Sequence, residues 1–173
     1  RALFDTLADM LFQLRDGHVN LFADFDVSRN WQWNLDYPSN FDYNLLERAY
    51  WKNEQRLAQP FITYDFGDIG YIYYSSFARP ISDGTMSLII DEFKDHKGII
   101  IDVRDNGGGS VSNVARIVSR FIEQELVYGQ ERHKKGPGHQ EFTDWADLTI
   151  SPKEDLSVYK GKIVVLTNRS CYS

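Results

Sequence analysis

Residues 99–118 have the sequence IIIDVRDNGGGSVSNVARIV, and the fold class follows from the order of its three parts. Its first part, extended by Gly98 to GIIIDV, is apolar and β-branched, which is typical of a strand buried on both faces of a sheet. Its last part repeats apolar side chains at helical spacing, which predicts a helix from Val111, Val114, Ile117, Val118 and Phe121. The glycines Gly107–Gly109 join the two. A buried strand, a turn and a helix in this order predict an α/β fold.

The segments on either side continue this alternation. FITYDFGDIGYIYYSSF, residues 61–77, predicts a hairpin that turns at Gly67-Asp68. Residues 83–98 predict an amphipathic helix whose apolar side chains are Met86, Ile89, Ile90 and Phe93. KGKIVVLT, residues 160–167, predicts a second buried strand, and the polar residues 125–150 predict β or irregular structure around an exposed loop at 136–138.

The N-terminal part predicts a different organisation. Residues 2–16 predict a helix that stops at Asp16-Gly17 and buries one apolar face, formed by Leu3, Leu7, Met10, Leu11 and Leu14. VNLFADF, residues 19–25, alternates like a strand, and a short helix is expected at 43–52. We therefore divide the chain into an N-terminal helical and β cap, residues 1–60, and an α/β core, residues 61–173.

The composition excludes several classes of protein. The formal net charge is -6 and the pI about 5.2, and no basic stripe is present, so we expect no nucleic-acid partner. No apolar run approaches the ~20 residues of a membrane span. A single cysteine, Cys171, excludes an internal disulfide and a zinc–cysteine cluster. The chain opens on Arg1 instead of Met, so we expect a trimmed N-terminus.

The three glycines allow three interpretations. Their backbone N–H groups, placed before a helix, suit a phosphate, although neither G-x-G-x-x-G nor a P-loop pattern is present. They also suit a tight strand-to-helix turn with no ligand. An oxyanion hole uses the same donors, directed at the alkoxide that develops during acyl transfer.

Nucleophile and base candidates lie at opposite ends of the chain. Ser170 and Ser173 follow the second buried strand, at the strand end where α/β proteins often place catalytic residues. Cys171 is the competing nucleophile, or a small core residue. His18 follows the first helix in LRDGHVN and is a candidate general base or a structural histidine.

Four of these elements together resemble the C-terminal processing (tail-specific) serine peptidases and their tricorn-like branch. The elements are LRDGHV, IGYIYYSSF, GIIIDVRDNGGG and KIVVLTNRSCYS, in that order. The resemblance implies a crotonase-like core of β-β-α units. It places the nucleophile at Ser173, the oxyanion-binding turn at Gly108 with Gly107 and Gly109, and the general base at His18. It implies neither a metal nor an organic cofactor.

The sequence departs from this family in three ways. Tyr172 and Cys171 stand where small residues are usual, and only about forty residues separate the His18 element from the Gly-Tyr-Ile strand, too few for a C-terminus-gripping domain. The family continues beyond its nucleophile to a catalytic lysine or a glutamate. We therefore expect the sequence to be part of a longer polypeptide. A chain that ended at Ser173 should be inactive. The general base is expected to be His18 or a lysine later in the longer chain.

The predicted function is a serine endopeptidase that acts on peptides or proteins through an acyl-enzyme. The alternative is a non-catalytic module that binds peptides or apolar ligands through the aromatic segment 31–46. The resemblance allows oligomerisation and implies the bacterial cell envelope or periplasm as the location.

Overall fold

The computed structural model describes residues 1–30, 37–153 and 155–173. These residues form two units, Arg1–Asn40 and Phe41–Ser173. The first unit contains helix α1 (Ala2–Phe12) and an antiparallel hairpin of strands β1 (Asn20–Ala23) and β2 (Asp26–Arg29). The predicted first helix and the strand after it are confirmed, although α1 ends before the predicted stop at Asp16-Gly17.

The buried face of α1 differs from the predicted one. Phe4 and Ala8 are buried, and the Phe4 ring packs edge-on against Phe25 with centroids 5.5 Å apart. Leu3 and Met10, predicted to be buried, are 72% and 59% exposed, and Leu14 is exposed beyond the helix end. The prediction was wrong for Leu3, Met10 and Leu14, whereas Leu7 and Leu11 are half-buried. The buried face is rotated towards Phe4, which lies about 100° around the helix from Leu3.

The second unit contains helices α2 (Tyr43–Leu45), α3 (Asp83–Phe93) and α4 (Val111–Val118), with a π-helical turn (Leu46–Tyr50) directly after α2. Its strands are β3 (Arg56–Ala58), β4 (Phe61–Asp65), β5 (Ile69–Tyr73), β6 (Gly98–Asp102), β7 (Leu126–Glu131), β8 (Ala146–Ile150) and β9 (Lys162–Leu166). The mixed α/β fold is confirmed, as is the short helix expected near residues 43–52.

Five of these strands form one sheet in the order β3-β4-β5-β6-β9. The first three strands are antiparallel neighbours, whereas β5, β6 and β9 run parallel. In the parallel part Tyr73 is level with Asp102, and Asp102 with Leu166. The carboxyl ends of three strands therefore lie side by side at one edge of the sheet.

Two apolar clusters cover the two faces of this sheet. The first contains Ile72 and the four predicted apolar residues of α3, which are all 1% exposed or less. The second contains Tyr71, Tyr73 and the fully buried Trp51. Because successive side chains of a strand point to opposite faces, Ile72 and its two neighbours place the clusters on opposite sides.

The burial of strand β9 was predicted incorrectly. Strand β9 exists but is not buried, since it lies at the edge of the sheet with Val164 and Val165 54% and 55% exposed. The helix predicted from Val111 onwards is confirmed as α4, in which Ile117 is buried and Val111, at the first position, is exposed. Apolar residues are therefore exposed where they lie on the edge strand or at the first position of the helix.

Strands β7 and β8 form a separate antiparallel hairpin, and Gly136-Pro137-Gly138 lies in the loop between them. The helices of the described part of the chain are all too short or too polar to cross a membrane.

Candidate active site at the carboxyl ends of the parallel strands

The candidate site is built where three chain segments leave the parallel strands. Beyond the strand ends, the Tyr74 N–H donates to the Asp102 carbonyl (3.1 Å) and the Val103 N–H donates to the Leu166 carbonyl (3.0 Å). The parallel hydrogen bonding therefore continues past β5, β6 and β9. It brings the segments 74–82, 103–110 and 167–173 together.

The glycine turn lies directly against Ser173. A Cβ atom on Gly108, whose φ is +91°, would lie 2.2 Å from the Tyr172 carbonyl oxygen and 2.6 Å from the Ser173 Cβ. The Gly109 N–H donates to the Ser173 carbonyl oxygen (3.3 Å). Real Cβ atoms do not approach other atoms this closely, so only glycine at 108 permits the contact.

The neighbouring glycines serve different purposes. Gly109 has φ +146°, and a Cβ there would lie 2.1 Å from the Ala78 nitrogen. The Ser110 N–H donates to the Phe77 carbonyl (3.0 Å), so the turn is fastened to the segment after β5. Gly107 is exposed, and a Cβ there would have no neighbouring atom within 4 Å. Close approach therefore requires glycine at 108 and 109, but not at 107.

Two N–H groups of the turn already have acceptors within the molecule. The Gly108 N–H donates to Asn106 Oδ1 (2.8 Å), and the Gly109 N–H is the group bound to Ser173. A ligand oxygen at Gly108 would have to share or displace the Asn106 amide oxygen.

A buried charge pair lies beneath the start of the turn. Asp102 is 0% exposed, and its carboxylate accepts from the Arg104 guanidinium (Nη2–Oδ2 2.5 Å) and from the Tyr71 hydroxyl (2.5 Å). Arg104 also lies over the Phe41 ring, 5.1 Å from its centroid. Burial, and next the hydrogen bond to Asp102, raise the pKa of Tyr71 far above its usual range. The hydrogen bond to Asp102 likewise raises the pKa of Arg104.

The segment that leads to Ser173 is tied to the segment after β6. Asn168 Nδ2 donates to the Asp105 carboxylate (2.6 Å), and the Asp105 N–H donates to Asn168 Oδ1 (3.0 Å). The half-buried Cys171 thiol donates to the Val103 carbonyl (2.9 Å). These bonds fix Ser173 relative to the glycine turn and give Cys171 a hydrogen-bonding partner.

His18 belongs to the other unit, in the turn between α1 and β1. Its Nδ1 lies 2.9 Å from Asp16 Oδ1. Because an ionised carboxylate only accepts hydrogen bonds, this contact favours the tautomer protonated on Nδ1 and leaves Nε2 as an acceptor. The meeting of His18 and Ser173 stays a prediction.

Three residues were missed in reasoning from the sequence. Asp16, in the first unit, lies two residues before His18, and this spacing could have indicated the contact of its carboxylate with the imidazole. In the second unit, Tyr71 carried no signal, because its contact with Asp102 depends on strand pairing. Asn106 lies in the GIIIDVRDNGGG element but was given no part in the site. In the described part of the chain, no three His, Cys, Asp or Glu residues are grouped to hold a metal ion.

The fold and the serine–glycine contact are those of an α/β protein whose candidate site lies at the carboxyl ends of parallel strands. Residues 68–173, more than half of the chain, match the model of Peptidase family S41, and the chain belongs to this family. The predicted resemblance to C-terminal processing and tricorn-like peptidases is thereby confirmed.

The chain is also similar to individual proteins of known sequence or structure. The chain is 31% identical to the Tricorn protease of Thermoplasma acidophilum over 102 residues. This matched stretch covers 59% of this chain and 8% of that protein. It is similar to the crystal structure of a candidate peptidase from Parabacteroides merdae, at 40% identity and a TM-score of 0.85, over 97% of this chain and 53% of that one. The photosystem II D1 C-terminal processing protease is a looser match, at 18% identity and a TM-score of 0.43, over 61% of this chain and 25% of that one. The chain thus spans about half of the Parabacteroides protein and a small part of the Tricorn protease.

Proposed function

We propose that this chain carries the nucleophile and the oxyanion-binding turn of a serine endopeptidase. The observation that supports this most strongly is the contact between Gly108 and Ser173, in which a glycine Cβ would lie 2.6 Å from the serine Cβ. An acyl-transfer site requires a nucleophile and N–H donors close enough to act on one carbonyl group. Family membership supports the same function.

The proposed reaction proceeds through an acyl-enzyme. Ser173 Oγ forms a bond to the carbonyl carbon of the substrate peptide while its proton passes to a general base. The tetrahedral intermediate collapses, the C–N bond breaks, and the base returns the proton to the leaving amine. Water then attacks the ester by the same route and releases the acid.

The oxyanion of the intermediate would bind the glycine turn, with Gly108 as principal donor and Gly107 and Gly109 beside it. The Gly108 N–H donates to the neutral amide oxygen of Asn106. A developing oxyanion is a stronger acceptor, because charge-assisted hydrogen bonds are about twice as strong as neutral ones. Removal of one such donor costs roughly 3–4 kcal/mol of transition-state stabilisation in comparable enzymes.

The proposed base is His18, or a lysine supplied from outside this chain. The contact between Asp16 and His18 Nδ1 supports the histidine, because a carboxylate on one ring nitrogen holds the other ready to accept a proton.

The finer fold proposal is a crotonase-like core. The hairpin β4–β5 followed by α3 forms one β-β-α unit, which supports this assignment. Residues 61–173 supply every group of the proposed site except His18. The proposed substrates are peptides or proteins, encountered in the bacterial cell envelope.

A fluorophosphonate probe on the full-length protein tests the proposal. We expect covalent labelling that is lost in Ser173→Ala and kept in Cys171→Ala, because the two Asn168–Asp105 hydrogen bonds still hold the segment that leads to Ser173. Labelling that survives Ser173→Ala would refute the assignment of the nucleophile. A folded protein that binds peptides without being labelled would favour the non-catalytic module. Membership of a peptidase family does not favour that alternative.

A further inference from the structure

Asn106 joins the three chain segments of the candidate site. It is 2% exposed. Its Nδ2 donates to the Tyr74 carbonyl (2.7 Å), and its Oδ1 accepts from the Gly108 N–H (2.8 Å). Its own carbonyl accepts from the Tyr172 N–H (3.0 Å). One side chain and one peptide group thus connect the end of β5, the glycine turn and the residue before Ser173.

The chemistry of these bonds selects asparagine. The side chain must donate to a carbonyl on one side and accept from an N–H on the other, which a carboxylate cannot do. Alanine would leave the buried Tyr74 carbonyl and Gly108 N–H without partners, and each unsatisfied group costs about 1–3 kcal/mol. An ionised aspartate would in addition set negative charge against the Tyr74 carbonyl oxygen.

We propose that Asn106 is the positioning residue of the catalytic site, which rests on the peptidase function proposed above. Its side chain sets the direction of the Gly108 N–H, and its carbonyl sets the position of the peptide before Ser173. The donor and the nucleophile must act on the same carbonyl group, so their relative position decides the rate. Asn106 also releases the Gly108 N–H to an oxyanion because a neutral amide oxygen is the weaker acceptor.

If Asn106 has this role, its replacement should lower kcat and leave KM nearly unchanged. Asn106 acts on the donor and the nucleophile through its hydrogen bonds, so its loss should leave substrate binding nearly unchanged and slow the chemical step. A misplacement of about 1 Å can cost on the order of 100-fold in rate. We therefore expect Asn106→Asp in the full-length protein to lower kcat about 100-fold near neutral pH, with KM within about twofold.

The aspartate variant also gives a distinctive pH profile. A protonated carboxyl at this position can donate to the Tyr74 carbonyl and accept from Gly108, as the amide does, whereas the ionised form cannot. The charged groups nearest along the chain are the buried Asp102–Arg104 pair and Asp105, whose carboxylate is held by Asn168. The Tyr74 hydroxyl is bound to the Arg79 carbonyl. We expect the activity of Asn106→Asp, divided by that of the wild type at each pH, to rise as pH falls.

Asn113→Asp is the matched control. Asn113 is also buried, and its Nδ2 donates to the Phe77 and Arg79 carbonyls (2.7 and 3.1 Å) without a bond to the segment that carries Ser173. Urea unfolding of both variants separates stability from rate. Hydrogen exchange of the residues 106–109 and 171–173 should become faster in Asn106→Asp and not in Asn113→Asp.

The results separate this inference from the peptidase proposal. A wild type that shows no Ser173-dependent labelling refutes the peptidase, and with it the role of Asn106. An active wild type refutes the inference alone if Asn106→Asp keeps the kcat of Asn113→Asp, or if its activity ratio does not change with pH. Unchanged hydrogen exchange in Asn106→Asp would also refute it.

Discussion

Gly108 contacts Ser173 so closely that the two Cα carbons could not both carry a side chain: a Cβ on Gly108 would lie 2.6 Å from the Ser173 Cβ. The φ of Gly108, +91°, is also disfavoured for any residue with a Cβ. Backbone conformation and close contact therefore require the same residue. The contact forms because β6 and β9 are parallel neighbours whose following segments meet.

The first prediction concerns this contact. Gly108→Ala should lower the free energy of unfolding by at least about 1–3 kcal/mol, from the strained φ alone. It should also abolish fluorophosphonate labelling, because either Ser173 or the turn must move. Urea unfolding and the labelling rate measure the two effects.

Gly107→Ala is the matched control for this prediction. Its φ is not positive, and a Cβ there would have no atom within 4 Å. We expect near wild-type stability and labelling. If Gly108→Ala and Gly107→Ala had the same stability and the same labelling rate, the Gly108–Ser173 contact would contribute to neither, and the turn would be flexible.

The second prediction concerns the buried carboxylate beneath the turn. Asp102→Ala removes the buried carboxylate that accepts from both Arg104 and the Tyr71 hydroxyl, so a buried ion pair and a buried hydrogen bond are lost together. Breaking a buried pair in this way costs about 3–5 kcal/mol. We expect a loss of that size in chemical denaturation.

The exposed pair of Asp68 with Lys97 provides the comparison. Both side chains are in solvent, where Coulomb attraction is screened, so Asp68→Ala should change stability far less. A similar loss in Asp68→Ala and Asp102→Ala would contradict the importance of burial. Tyr71→Phe should fall between the two, because it removes one hydrogen bond and keeps the ion pair.

The third prediction is a loss of stability at high pH. Burial raises the pKa of Tyr73 to about 12, with smaller contributions from the Asp102 and Asp105 carboxylates, and the pKa of Tyr71 rises further. The pKa of a tyrosine in an unfolded chain is about 10. The neutral phenols thus stabilise the fold fully below pH 10, and this contribution is lost as pH rises from 10 towards 12.

Thermal unfolding between pH 9 and 12, with phenolate absorbance recorded in parallel, checks this prediction. Tyr73→Phe should make the fall in stability between pH 10 and 12 less steep, because phenylalanine does not ionise. Tyr50→Phe, at an exposed position, should keep the wild-type slope. Stability that is constant across this range would contradict the burial of the two phenols.

Much of the core followed from local pattern. The apolar spacing of Met86, Ile89, Ile90 and Phe93 predicted a helix and its buried face, and both are confirmed. The hairpin with its turn at Gly67-Asp68 is confirmed as β4 and β5. These elements could be predicted because the periodicity of apolar residues is a property of the neighbouring residues alone.

Burial was less predictable where it depends on a distant partner. The run Ile163–Leu166 is as apolar as a central strand, but β9 has only β6 beside it in the described part of the chain. The leucine stripe of α1 was a sound helical signal, yet the contact of Phe4 with Phe25 selected another face. Hydrophobic character says that a residue can be buried, and the tertiary neighbours decide whether it is.

The order of amino acids alone predicted most of the helices and strands, the α/β character and the glycines at a strand-to-helix turn. It also supplied the motifs that place the chain in its peptidase family. The contact of Ser173 with Gly108, the hydrogen bond of Tyr71 to Asp102 and the bonds by which Asn106 connects three segments became known only from the folded structure. The physical reason is that these contacts join residues 31 to 66 positions apart, whose meeting depends on strand order and register and not on local sequence.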